Sequence, residues 1–224
     1  MSKQIRVGIV HSDADYRYGF RLLVDSQPDL EFVFEDSTAN SALSRIADAL
    51  IDVLVVDYFI SGLTGVEFTA KLSQLALDQD AKLTPVILTN VSFSDRLRLE
   101  MLRSGVSDIL PLDAYPETLL KSLRDNAFGG PKTPRSELLA FFERLDLPAR
   151  PNPALALGLA NLSDADAAAI ALFADGLEDS EIAAQTGEQA FRVRRRIQKL
   201  ARQFGFADRR QLFLALYENG KLNG

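Results

Sequence analysis

Residues Gln189–Phe204, QAFRVRRRIQKLARQF, read as one helix with two unlike faces. Val193, Ile197, Leu200 and Phe204 recur at helical spacing and make a single apolar stripe. Arg192, Arg194, Arg195, Lys199 and Arg202 turn away from that stripe, with Gln198 among them. No acidic residue falls between Gln189 and Ala207. A helix that docks on a core by one side and offers only cations on the other is suited to lie along phosphates. A solvated helix kept soluble by its arginines has the same pattern, so the flanking sequence must decide between them.

Upstream, Ser163-Asp164-Ala165-Asp166 reads as a capping box, with Asp166 reaching back to the helix start. Ile170, Phe173 and Leu177 follow as an apolar face that ends near Gly176. A short helix is predicted from about Ser180 to Gln185, then a turn Thr186-Gly187-Glu188 into the basic helix. Short helix, glycine-containing turn and second helix is helix-turn-helix geometry, in which the second helix enters the major groove. A last helix, about Asp208 to Tyr217, is expected to bury Leu212, Phe213 and Leu216.

The charge balance localises the positive field. The chain holds 25 Lys+Arg against 31 Asp+Glu, a net of −6, with a pI near 4.9. From Asn161 onward nine basic residues meet nine acidic ones, so the excess of acid lies in the first 160 residues. The whole molecule is therefore no polyelectrolyte sponge for nucleic acid. Its cations are gathered on one helix, as a docked reader requires.

This C-terminal part resembles the LuxR-type helix-turn-helix domain, the output module of NarL/FixJ response regulators. The likeness runs through Leu162-Ser163, Asp175-Gly176-Leu177, Glu181-Ile182-Ala183, Val193, Ile197, Leu200 and Gly205. It departs at Ala165 to Ala169, at Gly187-Glu188 and at Arg195-Arg196. The resemblance implies that Arg194, Arg195 and Gln198 read base edges, with Arg192, Lys199 and Arg202 on phosphates. Arginine at base-reading positions favours guanine, whose O6 and N7 acceptors match its fork.

The first 128 residues belong to another class. Short apolar runs at Ile5–Val10, Phe32–Phe34, Val53–Val56, Val86–Leu88 and Ile109-Leu110 alternate with helical patterns. Phe20, Leu23 and Val24 mark the first helix, and Leu43, Ile46, Ala47 and Leu50 the second. The pattern predicts an α/β fold, a flavodoxin-like doubly wound five-stranded parallel sheet, beside a small all-α helix-turn-helix domain. Ligand chemistry in such a sheet belongs at the C-terminal strand ends, here His11-Ser12-Asp13, Asp57 and Thr89. The segment resembles the receiver domain of response regulators over essentially its full length. The likeness rests on Asp57 after Val53–Val56, on Ser61-Gly62-Leu63-Thr64-Gly65, on Leu88-Thr89 and on Asp113-Ala114-Tyr115-Pro116-Glu117. It implies that Asp57 is the phosphoacceptor equivalent and Thr89 the hydroxyl that senses phosphate.

Several parts that the receiver resemblance calls for are missing. Its acidic pair, which holds Mg²⁺, falls on His11 and Ser12, and Asp13 lies one or two places further on and is expected to point elsewhere. Its lysine falls on Leu112 and its switch aromatic on Ile109. Without cations near Asp57, nothing offsets the charge that develops in phosphoryl transfer. The expectation is therefore a lost Mg²⁺ site, no bound cofactor or metal, and an Asp57 that is not an efficient phosphoacceptor. Three readings of the altered pocket stay open: a remnant in a dimerisation platform, a pH-sensitive pair of cationic His11 with Asp57, or a site for a small molecule or partner protein.

Residues 129–160 are expected to form a linker, broken at Gly129–Pro134 and again at Pro148–Pro153, around a short amphipathic helix at about Arg135 to Asp146. Its stripe, Leu138, Leu139, Phe142 and Leu145, is expected to dock on the receiver or on a second chain. The three segments are thus 1–128, 129–160 and 161–224. No signal peptide, membrane-spanning run or cysteine occurs, and no catalytic constellation, so a cytoplasmic protein that is not an enzyme is expected. The sequence predicts a DNA-binding transcription regulator of the two-component response-regulator type, active without aspartate phosphorylation. It would act as a homodimer on double-stranded DNA, paired through the last helix and the linker helix, with no membrane partner. The alternatives are a conventional regulator controlled through Asp57, or an interaction protein that sequesters a regulator or kinase without reading DNA.

Overall fold

The computed structural model describes residues 4–79, 86–89, 94–111, 114–127 and 134–220. The chain divides into two compact units, Met1–Pro131 and Lys132–Gly224. In the first, β1 (Ile5–Val10), β2 (Leu30–Asp36), β3 (Val53–Asp57), β4 (Val86–Thr89) and β5 (Asp108–Ile109) form one sheet in the order β2-β1-β3-β4-β5. Every pairing is parallel, as the alternation of strands with helices predicts.

The side-chain period of two divides the sheet's residues between two cores. Val53 and Val55 face Phe20 and Val24 of α1 (Ala14–Asp25) and Leu119, Leu120 and Leu123 of α5 (Pro116–Ala127). Leu54 and Val56 face Ala42 of α2 (Ala39–Arg45), Phe68 and Leu72 of α3 (Gly65–Asp78) and Met101 of α4 (Asp95–Ser104). The first four helices open on side-chain caps, Asp13, Thr38, Thr64 and Ser94, which take up backbone N–H groups left unpaired at a helix start. The second helix is shorter than its apolar pattern implies. It gives way to a 3-10 turn at Ile46–Asp48, and Leu50, expected on its buried face, is exposed.

The second unit is all helical: α6 (Arg135–Arg144), α7 (Pro153–Ala160), α8 (Asp164–Ala174), α9 (Asp179–Thr186), α10 (Ala190–Gln203) and α11 (Arg209–Gly220). Gly187 closes α9 in the left-handed region, φ 71°, a conformation that side chains rarely accept, and the chain turns there into α10. Gly158 of α7 lies so close to the Phe204 ring that a Cβ there would sit 2.6 Å from it.

The segment expected to be a linker is part of this unit. The stripe of α6, expected to dock on the receiver or on a second chain, packs on α11 of its own unit. Phe142, which is 1% exposed, stacks against Phe213 and Tyr217 of α11 at centroid distances of 5.8 and 5.3 Å. Phe141 joins the buried side, while Leu145 is only half-buried. At the start of α6 the guanidinium of Arg135 donates to Leu177 O (2.5 Å) and Asp179 Oδ1 (3.1 Å), and it lies 4.8 Å from the Phe173 ring centroid. Arg209 donates to Asp179 Oδ2 at 2.9 Å. A polar network therefore fastens α6, α9 and α11 together, a tertiary closure that no local pattern in 129–160 announces.

Two outcomes follow from this packing. Phe142→Ala is expected to destabilise the second unit by about 3–5 kcal/mol, the usual cost of emptying a buried phenylalanine site, read as a lower urea midpoint. Burial works against the ionised form of Asp179, but its bonds and proximity to Arg209 and Arg135 outweigh that and hold its pKa below the ordinary range. Its contribution is thus fully present above the unfolded carboxylate pKa, near 4, and is lost as pH falls through the lower folded value. Asp179→Asn should destabilise the unit at neutral pH, and the difference from the wild type should shrink in titrations below about pH 4.

Candidate functional site

The C-terminal ends of β1, β3 and β4 bring His11, Asp57 and Thr89 together, as the sequence reading requires of a parallel sheet. Asp57 is 4% exposed, and its Oδ1 has no hydrogen-bond partner among the described residues. His11 Nε2 stands 3.7 Å from Asp57 Oδ2. The tautomer follows from the other ring nitrogen: Nδ1 accepts the backbone N–H of Asp13 at 3.1 Å, so the proton sits on Nε2, toward the carboxylate. The geometry thus brings the expected pair together.

The other pocket residues are already engaged. Ser12 Oγ accepts the backbone N–H of Ser61 at 3.1 Å, tying the loop after β1 to the loop after β3. Asp13 Oδ1 accepts the N–H groups of Asp15 (2.8 Å) and Tyr16 (3.1 Å). The Tyr16 and Asp15 bonds hold that carboxyl below its ordinary pKa, so Asp13 is spent on opening α1. Ile109 is half-buried beside Leu88 and packs against the sheet core. Leu112 and Asp113, part of the expected pocket and turn, lie outside the described residues.

Sequence reasoning missed Tyr16. The cap at Asp13 starts α1 so that the Tyr16 ring stacks on His11, with centroids 4.1 Å apart and planes at 7°. Burial and the charge of Asp57 push its phenol above the ordinary pKa, with the Thr89 hydroxyl pulling the other way. The mouth of the pocket is thus lined by an imidazole, a phenol and a hydroxyl around one carboxylate. Spacing alone carries no signal of ring stacking between a strand end and the following helix.

On the second unit, α10 sorts its residues as its period predicts. Val193, Ile197, Leu200 and Ala201 are buried, while Arg192, Arg194, Arg195 and Lys199 are exposed. Arg202 is half-buried in the last turn. Gln198 is also half-buried and donates from Nε2 to Ala207 O at 3.2 Å. In this arrangement it is held by the C-terminal loop rather than presented as a base-edge reader. Arg196 has a third role: it pairs with Asp166 Oδ1 and Glu188 Oε1, both at 2.9 Å, and so sets the roll of α10 on α8 and on the turn. Asp166 spends its other oxygen on the Ser163 hydroxyl, so it does not reach the backbone as the expected capping box required.

The last helix, expected from the sequence to pair two copies, buries Leu212, Phe213, Leu214 and Leu216, while Arg209, Arg210, Gln211, Ala215, Tyr217 and Asn219 are half-buried. From Arg209 to Asn219 no residue of α11 is exposed, and Phe142 covers it from α6. The backbone N–H of Arg150 donates to Glu218 O at 3.2 Å, adding a second cover. No helix among the described residues is long and apolar enough to cross a membrane, and none of their acidic and histidine side chains cluster in threes as metal ligands.

Asp57→Asn removes a buried charge that lacks a partner on Oδ1, and is expected to raise the stability of the first unit by about 1 kcal/mol. The readout is the urea midpoint of that unit. A lower midpoint in the variant would show that the charge is compensated in solution.

Known proteins resemble this chain along its whole length. It is 23% identical to the transcriptional regulatory protein LiaR of Bacillus subtilis, over 98% of this chain and all of that protein. A nitrate/nitrite response regulator protein homolog of Haemophilus influenzae is 23% identical over 99% of this chain and all of that protein. The nitrate/nitrite response regulator protein NarP of Escherichia coli is 28% identical over 55% of each chain. Among solved structures, a LuxR-family two-component response regulator from an Aurantimonas species has a TM-score of 0.53 and 21% identity, covering 64% of this chain and 99% of its own. The RcsB response regulator of Salmonella typhimurium has a TM-score of 0.51 and 16% identity, covering 99% of this chain and all of its own. No family model matches the chain. The structural likeness carries the fold, a receiver-type sheet followed by a helix-turn-helix unit. The named relatives are response regulators, the class that the resemblance in the sequence points to.

Proposed function

From its likeness to response regulators of the LuxR/NarL type, we propose that the chain is a DNA-binding transcription regulator whose receiver works without phosphorylation of Asp57. The carrying observation is the outward face of α10. Arg192, Arg194, Arg195 and Lys199 are exposed opposite a buried stripe, on a segment without an acid from Gln189 to Ala207. Docked in a major groove, Arg194 and Arg195 reach base edges, while Arg192 and Lys199 meet phosphates, joined by Arg202 where its half-buried side chain extends. Two copies bind a two-fold site, as the two-fold symmetry of a paired reader requires.

The receiver's part in this reading rests on its donor set. Mg²⁺ takes oxygen ligands in a strict octahedron. Here Asp57 offers a single carboxylate, Asp13 caps α1, the Ser12 hydroxyl holds Ser61, and His11 presents a ring nitrogen. These residues do not fit Mg²⁺. Regulation then enters through abundance or through a molecule that meets the receiver rather than through a phosphoryl group.

Selection of genomic fragments by the purified, unphosphorylated chain is expected to enrich a two-fold motif. Exchanging Arg194 and Arg195 together for alanine should abolish the preference for that motif, since each base-edge pair is worth roughly tenfold or more. Arg192→Ala should instead weaken all sequences alike and make the salt slope shallower by about 0.9 for each phosphate no longer neutralised. Beryllofluoride with Mg²⁺ is expected to leave affinity and self-association unchanged. Tightening by beryllofluoride would establish the conventional, Asp57-controlled regulator, and retention of a protein complex without any DNA preference would establish a sequestering partner.

A further inference from the structure

Phe191 is an aromatic ring in the first turn of α10, 62% exposed on a helix whose other large apolar side chains are buried. Helical geometry puts the exposed Arg195 one turn beyond it, on the same side of the helix. The guanidinium of Arg192 lies 5.9 Å from the ring centroid, so a cation also borders the ring. An apolar group framed by exposed cations and opposite the core stripe has no packing task in the described unit.

Resting on the DNA-binding reading, we infer that Phe191 is a specificity-determining residue that contacts the 5-methyl group of a thymine. The N-terminal residues of a recognition helix are the ones that reach base edges. In the major groove the thymine methyl is the apolar feature among donors and acceptors, and phenylalanine is one of the side chains that meet it. The surrounding cations favour a polyanion as the occupant of this face over an apolar protein surface, which would have to desolvate them. A half-site then combines guanine contacts from Arg194 and Arg195 with a thymine near the base met by the first turn of α10.

The test removes one methyl group at a time. In the site selected by the full chain, each thymine is exchanged singly for uracil, and binding is measured for the wild type and for Phe191→Ala. At one thymine per half-site the wild type is expected to lose about fourfold in affinity, the worth of one buried methyl-sized group. Phe191→Ala should show no loss at that thymine, while keeping the wild-type salt slope because every phosphate-binding cation is still in place. Circular dichroism melting of the variant should match the wild type, since the ring is exposed. The inference is overturned if the wild type ignores every uracil exchange, if Phe191→Ala responds as the wild type does, or if the selected half-site holds no thymine. Loss of self-association in Phe191→Ala, measured by sedimentation without DNA, would overturn it too by making the ring an interface between copies. If the wild type selects no sequence at all, the DNA-binding reading itself fails, and this inference with it.

Discussion

Burial of apolar residues along two segments fixes where the polar side chains of both candidate sites stand. In Val53–Val56 successive residues go to opposite cores, and no side chain is left facing water. A strand covered on both faces can offer polar chemistry only where it stops, which is why Asp57 sits at the rim. In Val193–Leu200 the stripe goes inward, and Arg194, Arg195 and Lys199 between its members are left outward. The hydrophobic effect is non-directional, yet with these two periodicities it aims a carboxylate and a set of guanidinium groups.

The pocket at the strand ends is chemically unusual because, among the described residues, no lysine or arginine pairs with its acid. A buried carboxylate oxygen with no donor costs free energy that a folded chain normally avoids. The neighbours that do approach are an imidazole, a phenol and a hydroxyl, of which Tyr16 is turned over His11 by the cap at Asp13. Strain of this kind tends to persist where a site interacts with something else, so the pocket is a better candidate for a ligand or partner surface than for phosphoryl chemistry.

The second unit shows how a segment can change meaning once it is folded. Between Gly129–Pro134 and Pro148–Pro153 the sequence offers only a short helix with an apolar stripe, too short to stand alone in water. Phe142 finds Phe213 and Tyr217, and Arg135 finds Asp179, so the helix becomes part of the core that supports α9 and α11. In closing that core it also covers one side of α11.

The sequence by itself determined the elements and their class. Apolar runs at period two and stripes at period 3.6 are local, so β1 and α10 could be read nearly residue by residue, as could the outward direction of Arg192, Arg194, Arg195 and Lys199. It also placed His11, Asp57 and Thr89 at one rim, because parallel strands share their C-terminal side. The tertiary structure alone decided what those residues touch. The stacking of Tyr16 on His11, the capture of Gln198 by Ala207, the tether of Arg196 and the docking of α6 all join residues whose separation along the chain bears no relation to a helical or strand period. Periodicity reports which face a side chain takes, and only the packing of one element on another sets which neighbour waits on that face.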